Sequence, residues 1–245
     1  MPGGTTPPPG REATVNVAVR GADETAAGSV GVAGASAVAE DGDRPVDAVV
    51  AVGDDAIRST VTDPPAAPVL PVTAEGGRHL VARAELDGAL ASLVAGDGGR
   101  EAHPVVGVHR DGRVVARAVR DVALVTAAPA SISEYGLAAG GTDLGSIRAD
   151  GVVVATPMGS DGYAAAAGGA VLEAGTGLAV APIAPFSTSP DRHVVDAAAG
   201  LGLSVEREGA VALFADGVRR ATVDAGTDLR VERVGSLDVL TPGRR

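Results

Sequence analysis

The residues best able to do chemistry lie in the run Arg148-Ala149-Asp150-Gly151-Val152-Val153-Val154-Ala155-Thr156-Pro157-Met158-Gly159-Ser160-Asp161-Gly162-Tyr163. Residue types alone give a turn, a buried strand and a loop of small residues, after which Ala164 to Ala167 favour a helix. Backbone N–H groups around Gly159 to Gly162, at such a helix start, are able to face an anion or a ribose hydroxyl. The same spacing equally suits a tight strand-to-helix turn with no ligand. Tyr163 either offers a face for ring stacking or fills a core, in a chain with only two Tyr and two Phe. A second polar cluster, Asp54-Asp55, follows an apolar run that ends at Gly53 and suits a solvated turn or a helix cap.

Much other chemistry is excluded by composition. There is no cysteine, which removes disulfides, thiolate nucleophiles and Cys-ligated metal centres. All 20 basic residues are Arg, so neither a Walker-type phosphate loop nor a pyridoxal Schiff base has its Lys. G-x-S-x-G, H-E-x-x-H and G-x-G-x-x-G are absent; Gly28, Gly31 and Gly34 have the wrong spacing for the last. His79, His103, His109 and His193 show no metal-ligand spacing and read as structural or surface residues, and Asp41-Gly42-Asp43 reads as a turn without the rest of a calcium loop. No protein metal site is expected.

A formal net charge of −11 would repel nucleic acid over most of the surface. The acid excess, with abundant Ala, Val, Gly and Asp and 2% aromatics, points to a salt-adapted protein from a halophilic, GC-rich host; coding bias alone is the alternative. Met1 to Gly10 has neither a charged start nor an apolar core of a leader, and no run stays apolar long enough to span a bilayer. A soluble cytoplasmic protein is expected.

The elements that must position these residues fall into two halves, and 45% hydrophobic residues can fill two modest cores. A disordered start over 1–11 precedes a truncated α/β domain over 12–96. In it Val15–Val19, Asp47–Val52 and Pro68–Val72 read as strands, and Leu86, Leu90, Leu93 and Val94 share one helical face. Gly96-Asp97-Gly98-Gly99-Arg100 marks a boundary. Over 97–245 short apolar runs alternate with turns, notably the hairpin signals Asp111-Gly112 and Gly140-Gly141, and predict a β-sandwich-like domain.

The order of residues in the first run resembles the NAD kinase signature, DG(L/V)I-x-(S/T)-T-P-T-G-S-T-A-Y followed by S-x-S-A-G-G. Asp150, Gly151, Thr156, Pro157, Gly159, Ser160, Tyr163, Ala167, Gly168 and Gly169 stand where that family has them. Pro182-Ile183-Ala184-Pro185 with Arg192, and Asp216-Gly217, are similar to later family segments, with Phe186 where the family prefers His. These anchors span about Val105 to Val231. The resemblance implies an N-terminal Rossmann-like α/β domain, a C-terminal β-sandwich and a homodimer or homotetramer whose sites include a neighbour's residues.

It also implies site residues. Gly53-Asp54-Asp55-Ala56-Ile57 falls on the family's G-G-D-G-T, which makes Gly53 and Asp54 the phosphate-donor loop and Asp55 the general base; a one-residue slip selects Asp54 instead. Arg120-Asp121 falls on the Asn-Glu pair that holds NAD, although a guanidinium cannot accept hydrogen bonds as an amide does. Asp150, Thr156, Gly159, Ser160, Asp161 and Tyr163 shape the substrate side, with Arg148 near the 2′-phosphate of NADP. Asp161 replaces a Thr and would repel a phosphate, and Ala166 replaces a Ser.

The implied activity transfers a phosphoryl group from ATP or polyphosphate to the adenosine ribose 2′-hydroxyl of NAD, with Mg arriving on the nucleotide. The altered motifs leave open a catalytically impaired paralogue that binds a dinucleotide or regulates. A lipid-type kinase sharing a G-G-D-G loop is the weaker third reading.

Overall fold

The computed structural model describes residues 14–21, 23–127, 132–207 and 209–243. The expected disordered start at 1–11 lies outside them. The apolar runs of the first half become parallel strands: β1 (Asn16–Arg20), β2 (Ser36–Ala37), β3 (Ala48–Val52), β4 (Val69–Thr73) and β5 (Val81–Ala82), in the spatial order β2-β1-β3-β4-β5. Such a sheet is covered on both faces, which is why β3 is apolar throughout. Val17, Val50, Leu70 and Val72 pack towards α1 (Glu24–Val32) and α3 (Leu86–Val94). The alternate residues Ala18, Val49, Ala51 and Val69 pack towards α2 (Asp54–Thr62) and the second half of the chain. α1 is capped by Asp23, whose carboxylate accepts from Ala26 N at 3.0 Å.

The second half is an antiparallel sandwich built from β6 (Gly98–Arg110), β7 (Arg113–Ala118), β8 (Asp121–Thr126), β9 (Ser133–Ala139), β10 (Thr142–Ala155), the short α4 (Tyr163–Ala166), β11 (Leu178–Pro185), β12 (His193–Val195), β13 (Leu201–Arg207), β14 (Val211–Ala215), β15 (Val218–Val223) and β16 (Asp228–Pro242). Its core is aliphatic, with Val106, Leu124, Val152, Val180, Leu203, Leu213 and Val231 around Tyr135. Both hairpin signals form turns with two positive φ angles: 50° and 72° at Asp111-Gly112, 56° and 83° at Gly140-Gly141. That geometry matches the right-handed twist of the flanking strands. The fold is therefore an α/β domain followed by a C-terminal β-sandwich.

β16 ties the two together. It pairs with β6 from Arg230↔His109 to Pro242↔Gly98, with β13 at its start and, in parallel, with β4 at Val239↔Val69. Leu229 and Val231 belong to the sandwich core, while Leu237, Val239 and Leu240 are buried under the α/β layers. The expected helix at Ala164–Ala167 is only four residues long. Gly168, at φ 82°, and Gly169 end it, their N–H groups returning to the carbonyls of Ala165 and Ala164 at 2.8 Å each. This double return is the Schellman stop. Among the described residues no helix is long and apolar enough to cross a membrane.

Candidate functional site

β3 delivers the first half of the site. Its last residue is followed by Gly53 at φ 86°, a left-handed position that a side chain would strain, and α2 begins at once with Asp54 and Asp55 in its first turn. Carboxylates there complement the helix dipole. Consecutive helical residues diverge by about 100° in direction, and the two acids part company. Asp54, with a side chain 59% exposed, stands 3.0 Å from the Arg120 guanidinium. Asp55 is 96% exposed and pairs with Arg58 on its own helix, and Arg58 also donates to the Asp216 carbonyl at 3.0 Å.

The second half is delivered by the turn between β7 and β8. The N–H groups of Val119, Arg120 and Asp121 all donate to the Asp216 carboxylate, at 3.1, 2.8 and 3.2 Å. Asp216 is buried, lies at φ 47° in the turn before β15, and donates its own N–H to the Asp121 carbonyl at 2.9 Å. From the other side Thr156 donates its N–H to the Arg120 carbonyl at 2.8 Å and its hydroxyl to the Val119 carbonyl at 2.5 Å. Gly159 lies so close that a Cβ would collide with the Arg120 carbonyl oxygen. The Arg120 backbone is thus fixed on both sides, and its side chain alone reaches across to the α/β domain.

The loop after β10 is held from within. Ser160 is buried, donating to the Pro157 carbonyl at 2.9 Å and accepting from Leu172 N at 2.9 Å. Asp161 accepts from Arg78 N at 2.5 Å, so its charge is committed to the segment after β4. Gly162 and Tyr163 stay exposed, Tyr163 by 47%.

These pieces wall one cleft of about 680 Å³. Gly53–Asp54, Thr73–Gly76 and Leu80 line it together with Arg120–Asp121, Met158, Gly159, Asp161–Tyr163 and Gly217. A neighbouring cleft of about 560 Å³ shares Gly53, Asp54, Arg120 and Gly217 but is lined by Gly21, Asp55, Arg58 and Asp216. The Asp54–Arg120 pair stands between the two. Burial, and then the charge of Asp216, push the Asp121 carboxyl up to about 6, against the opposing pull of Arg120.

The structure brings Gly53, Asp54, Arg120, Asp121, Gly159, Asp161 and Tyr163 into one cleft. Thr156 and Ser160 are fully buried beneath it and spend their hydroxyls on backbone groups. Asp55 lies in the adjoining cleft. Arg148 and Asp150 do not line either space: both are exposed on β10, with Arg148 over the Phe186 ring at 5.6 Å from its centroid. Asp216 carries the site's geometry without standing out in the sequence beyond its D-G dipeptide, because nothing local announces that a carboxylate accepts three N–H groups 95 to 97 residues away.

An α/β domain with an acid at the first helical turn after a buried strand, facing a glycine loop of a β-sandwich, is a fold found in NAD kinases. Its fold is similar to an NAD kinase from Archaeoglobus fulgidus in complex with ATP, with 23% identity, a TM-score of 0.67 and coverage of 92% of this chain and 93% of that one. It is similar also to yeast NADH kinase complexed with NADH, with 16% identity, a TM-score of 0.70 and coverage of 93% and 83%. Residues 119–236 match the family model of the ATP-NAD kinase C-terminal domain. Among curated proteins none matches it in sequence.

Proposed function

We propose that the protein transfers a phosphoryl group from ATP or polyphosphate to the adenosine ribose 2′-hydroxyl of NAD, giving NADP. One observation carries this reading: Asp54 and the loop Gly159–Tyr163 wall the same cleft of about 680 Å³, a size that suits a nucleotide. Asp54, not Asp55, is then the general base. Its carboxylate is in the cleft, whereas Asp55 faces the adjoining space and pairs with Arg58.

In this reaction the 2′-oxygen attacks the terminal phosphorus and its proton passes to Asp54. The bond from phosphorus to the bridging oxygen breaks, leaving ADP or a shortened polyphosphate. Arg120 takes a part that an amide could not. When a phosphoryl group enters, the guanidinium can exchange the Asp54 carboxylate for phosphate oxygens, neutralising the charge of the transition state and freeing the base. Tyr163 offers the exposed ring face for a base or nicotinamide. Asp54 and Glu75 are exposed hard-oxygen donors in the cleft and fit a magnesium ion that arrives with the donor phosphates, where it would supply further charge neutralisation. Arg148 and Asp150, exposed outside their own cleft, are assigned to the cleft of a neighbouring copy in a homo-oligomer.

A second reading, an impaired paralogue that only binds dinucleotide, is favoured by the Asp54–Arg120 pair itself, which occupies the base. The deciding experiment incubates the protein with NAD, magnesium and either ATP or polyphosphate at high salt and measures NADP. Turnover supports the kinase. No NADP with any donor, together with a rise in thermal midpoint on adding NAD or NADP, rejects catalysis in favour of the binding paralogue.

A further inference from the structure

A cavity of about 810 Å³ lies away from Asp54, between α3, the segment 77–81 after β4 and the end of β16. At its edge three side chains that are scattered in the sequence converge. His79 Nδ1 is 3.4 Å from Glu101 Oε2, His103 Nε2 is 3.6 Å from the same oxygen, and the three ligand atoms lie within 4.8 Å of one another. His79 comes from the segment after β4; Glu101 and His103 are alternate residues on one face of β6. We propose that His79, Glu101 and His103 form a divalent transition-metal site of the zinc class, with an open coordination position towards the cavity.

The first support is an unmet demand for a cation. His103 is fully buried with no hydrogen-bond partner for either ring nitrogen, and Glu101 Oε2 is buried without one. Buried polar atoms without partners are costly, so native structures rarely keep them. Here they point at each other.

The second is orientation. His79 Nε2 lies 3.1 Å from the Leu172 carbonyl oxygen, so it must carry the proton. In the neutral ring this leaves a bare lone pair on Nδ1, aimed at a carboxylate oxygen that also can only accept. Such a contact is repulsive unless a second proton or a metal cation sits between them. An N–H donated to a backbone carbonyl is also the arrangement that fixes metal-bound imidazoles.

The third is spacing and ligand chemistry. Two ligands about 2.0–2.1 Å from a tetrahedral zinc stand about 3.3 Å apart, close to both separations found here. Two imidazoles and one carboxylate suit zinc, cobalt or nickel and are poor for magnesium or calcium, which prefer all-oxygen sets. His79 and Glu101 line the cavity, which leaves the fourth position to water or a small anion.

An ion here would clamp a wall of the nucleotide cleft. His79 lies in the turn closed by Gly77 N to Leu80 O at 3.0 Å, Arg78 N in the same turn holds Asp161, and Gly76 and Leu80 line the cleft. The Leu172 carbonyl that orients His79 belongs to the residue whose N–H holds Ser160.

The test is metal binding by the whole protein, stripped with a chelator and titrated with Co²⁺ and Zn²⁺. One Co²⁺ per chain, with the intense visible bands of a four- or five-coordinate site, displaced by Zn²⁺ and not by Mg²⁺, is expected, together with a rise in thermal midpoint. Glu101→Gln keeps size and fold and should weaken binding by at least about tenfold, as should His79→Gln; His103→Ala is unsuited as the sole probe because it opens a buried hole. Failure to bind Co²⁺ overturns the proposal, as does binding of unchanged stoichiometry and affinity in both variants. So does a His79 ring that titrates as an imidazolium paired with Glu101 in a metal-free protein indifferent to Zn²⁺. The outcome is independent of NADP formation.

Discussion

The Arg120 guanidinium lies 3.0 Å from the Asp54 carboxylate and is the side-chain link between the β-sandwich turn and the first turn of α2 at the cleft. Asp54 is 59% exposed, so the pair is screened and contributes little to stability. Its importance is positional: in the proposed reaction the group that would take the proton and the group that would meet the phosphoryl charge are adjacent before substrate enters.

Asp54→Asn and Asp55→Asn separate the two candidate bases. With Asp54 as the base, Asp54→Asn should lower kcat by about 10²–10⁴, the usual range for losing a general base. Asp55→Asn, which removes an ion pair on the helix surface, should change kcat by less than about threefold and leave the thermal midpoint nearly unchanged. The reverse ranking in NADP formation would move the role to Asp55.

Arg120 should act on the donor rather than on NAD. Arg120→Met keeps much of the stem and removes the charge. The expected result is a raised KM for ATP or polyphosphate and a lower kcat, of about tenfold to a hundredfold combined, with little change in KM for NAD. A rise confined to the KM for NAD would show that the guanidinium contacts the dinucleotide.

Asp216 should prove a positioning residue. Hydrogen bonds to a charged acceptor are worth about 1.5–3 kcal/mol, and this carboxylate takes three that fix the backbone from Val119 to Asp121. Asp216→Asn replaces one acceptor oxygen by a donor facing N–H groups. The thermal midpoint should fall by an amount equivalent to about 2 kcal/mol, and dinucleotide affinity with it. Measuring both checks that the loss reaches the cleft.

What the sequence made legible depended on how local the cause was. The hairpins at Asp111-Gly112 and Gly140-Gly141 and the buried β3 follow from their own residues and were expected where they occur. The double membership of β16 was not, because its alternation says that one face is buried and not under which layer; Val231 and Val239 read alike and lie in different cores. The loop Gly159–Tyr163 was identified by its order of residues. Which clefts Asp54 and Asp55 line was not legible, since that turns on where α2 begins, and Gly53 sets that by its positive φ. Thr156 and Ser160 carry hydroxyls that look available to a ligand; only the fold shows them spent on Val119 and Pro157. The reading of His79 and His103 as structural rested on spacing along the chain, which cannot see a segment after β4 meeting a strand of the sandwich; whether they hold a metal is what the proposed titration decides.

Asp121 supplies a test of the cleft's electrostatics by pH. Its carboxyl, raised by burial and by Asp216 to about 6 in the folded chain, has an ordinary value near 3.9 when unfolded. A raised acid favours the neutral form in the native state, so its contribution to stability is fully present below about pH 4 and is lost as pH rises through 6. Arg120 opposes the shift, Asp216 adds to it, and Asp54, Glu75 and Asp161 are the other charges that line this cleft. Asp121→Asn cannot ionise and should flatten this part of the stability profile, leaving the variant more stable than the parent above pH 6 by on the order of 2 kcal/mol, and equal to it near pH 4. The same ionisation makes Asp121 an acceptor at neutral pH, so affinity for a ligand hydroxyl or amide should rise between pH 5 and 7 in the parent and stay level in the variant. Denaturant midpoints and dinucleotide titrations at matched ionic strength measure the two effects separately; a variant whose stability still falls as pH rises from 4 to 6 would assign the titration to another group.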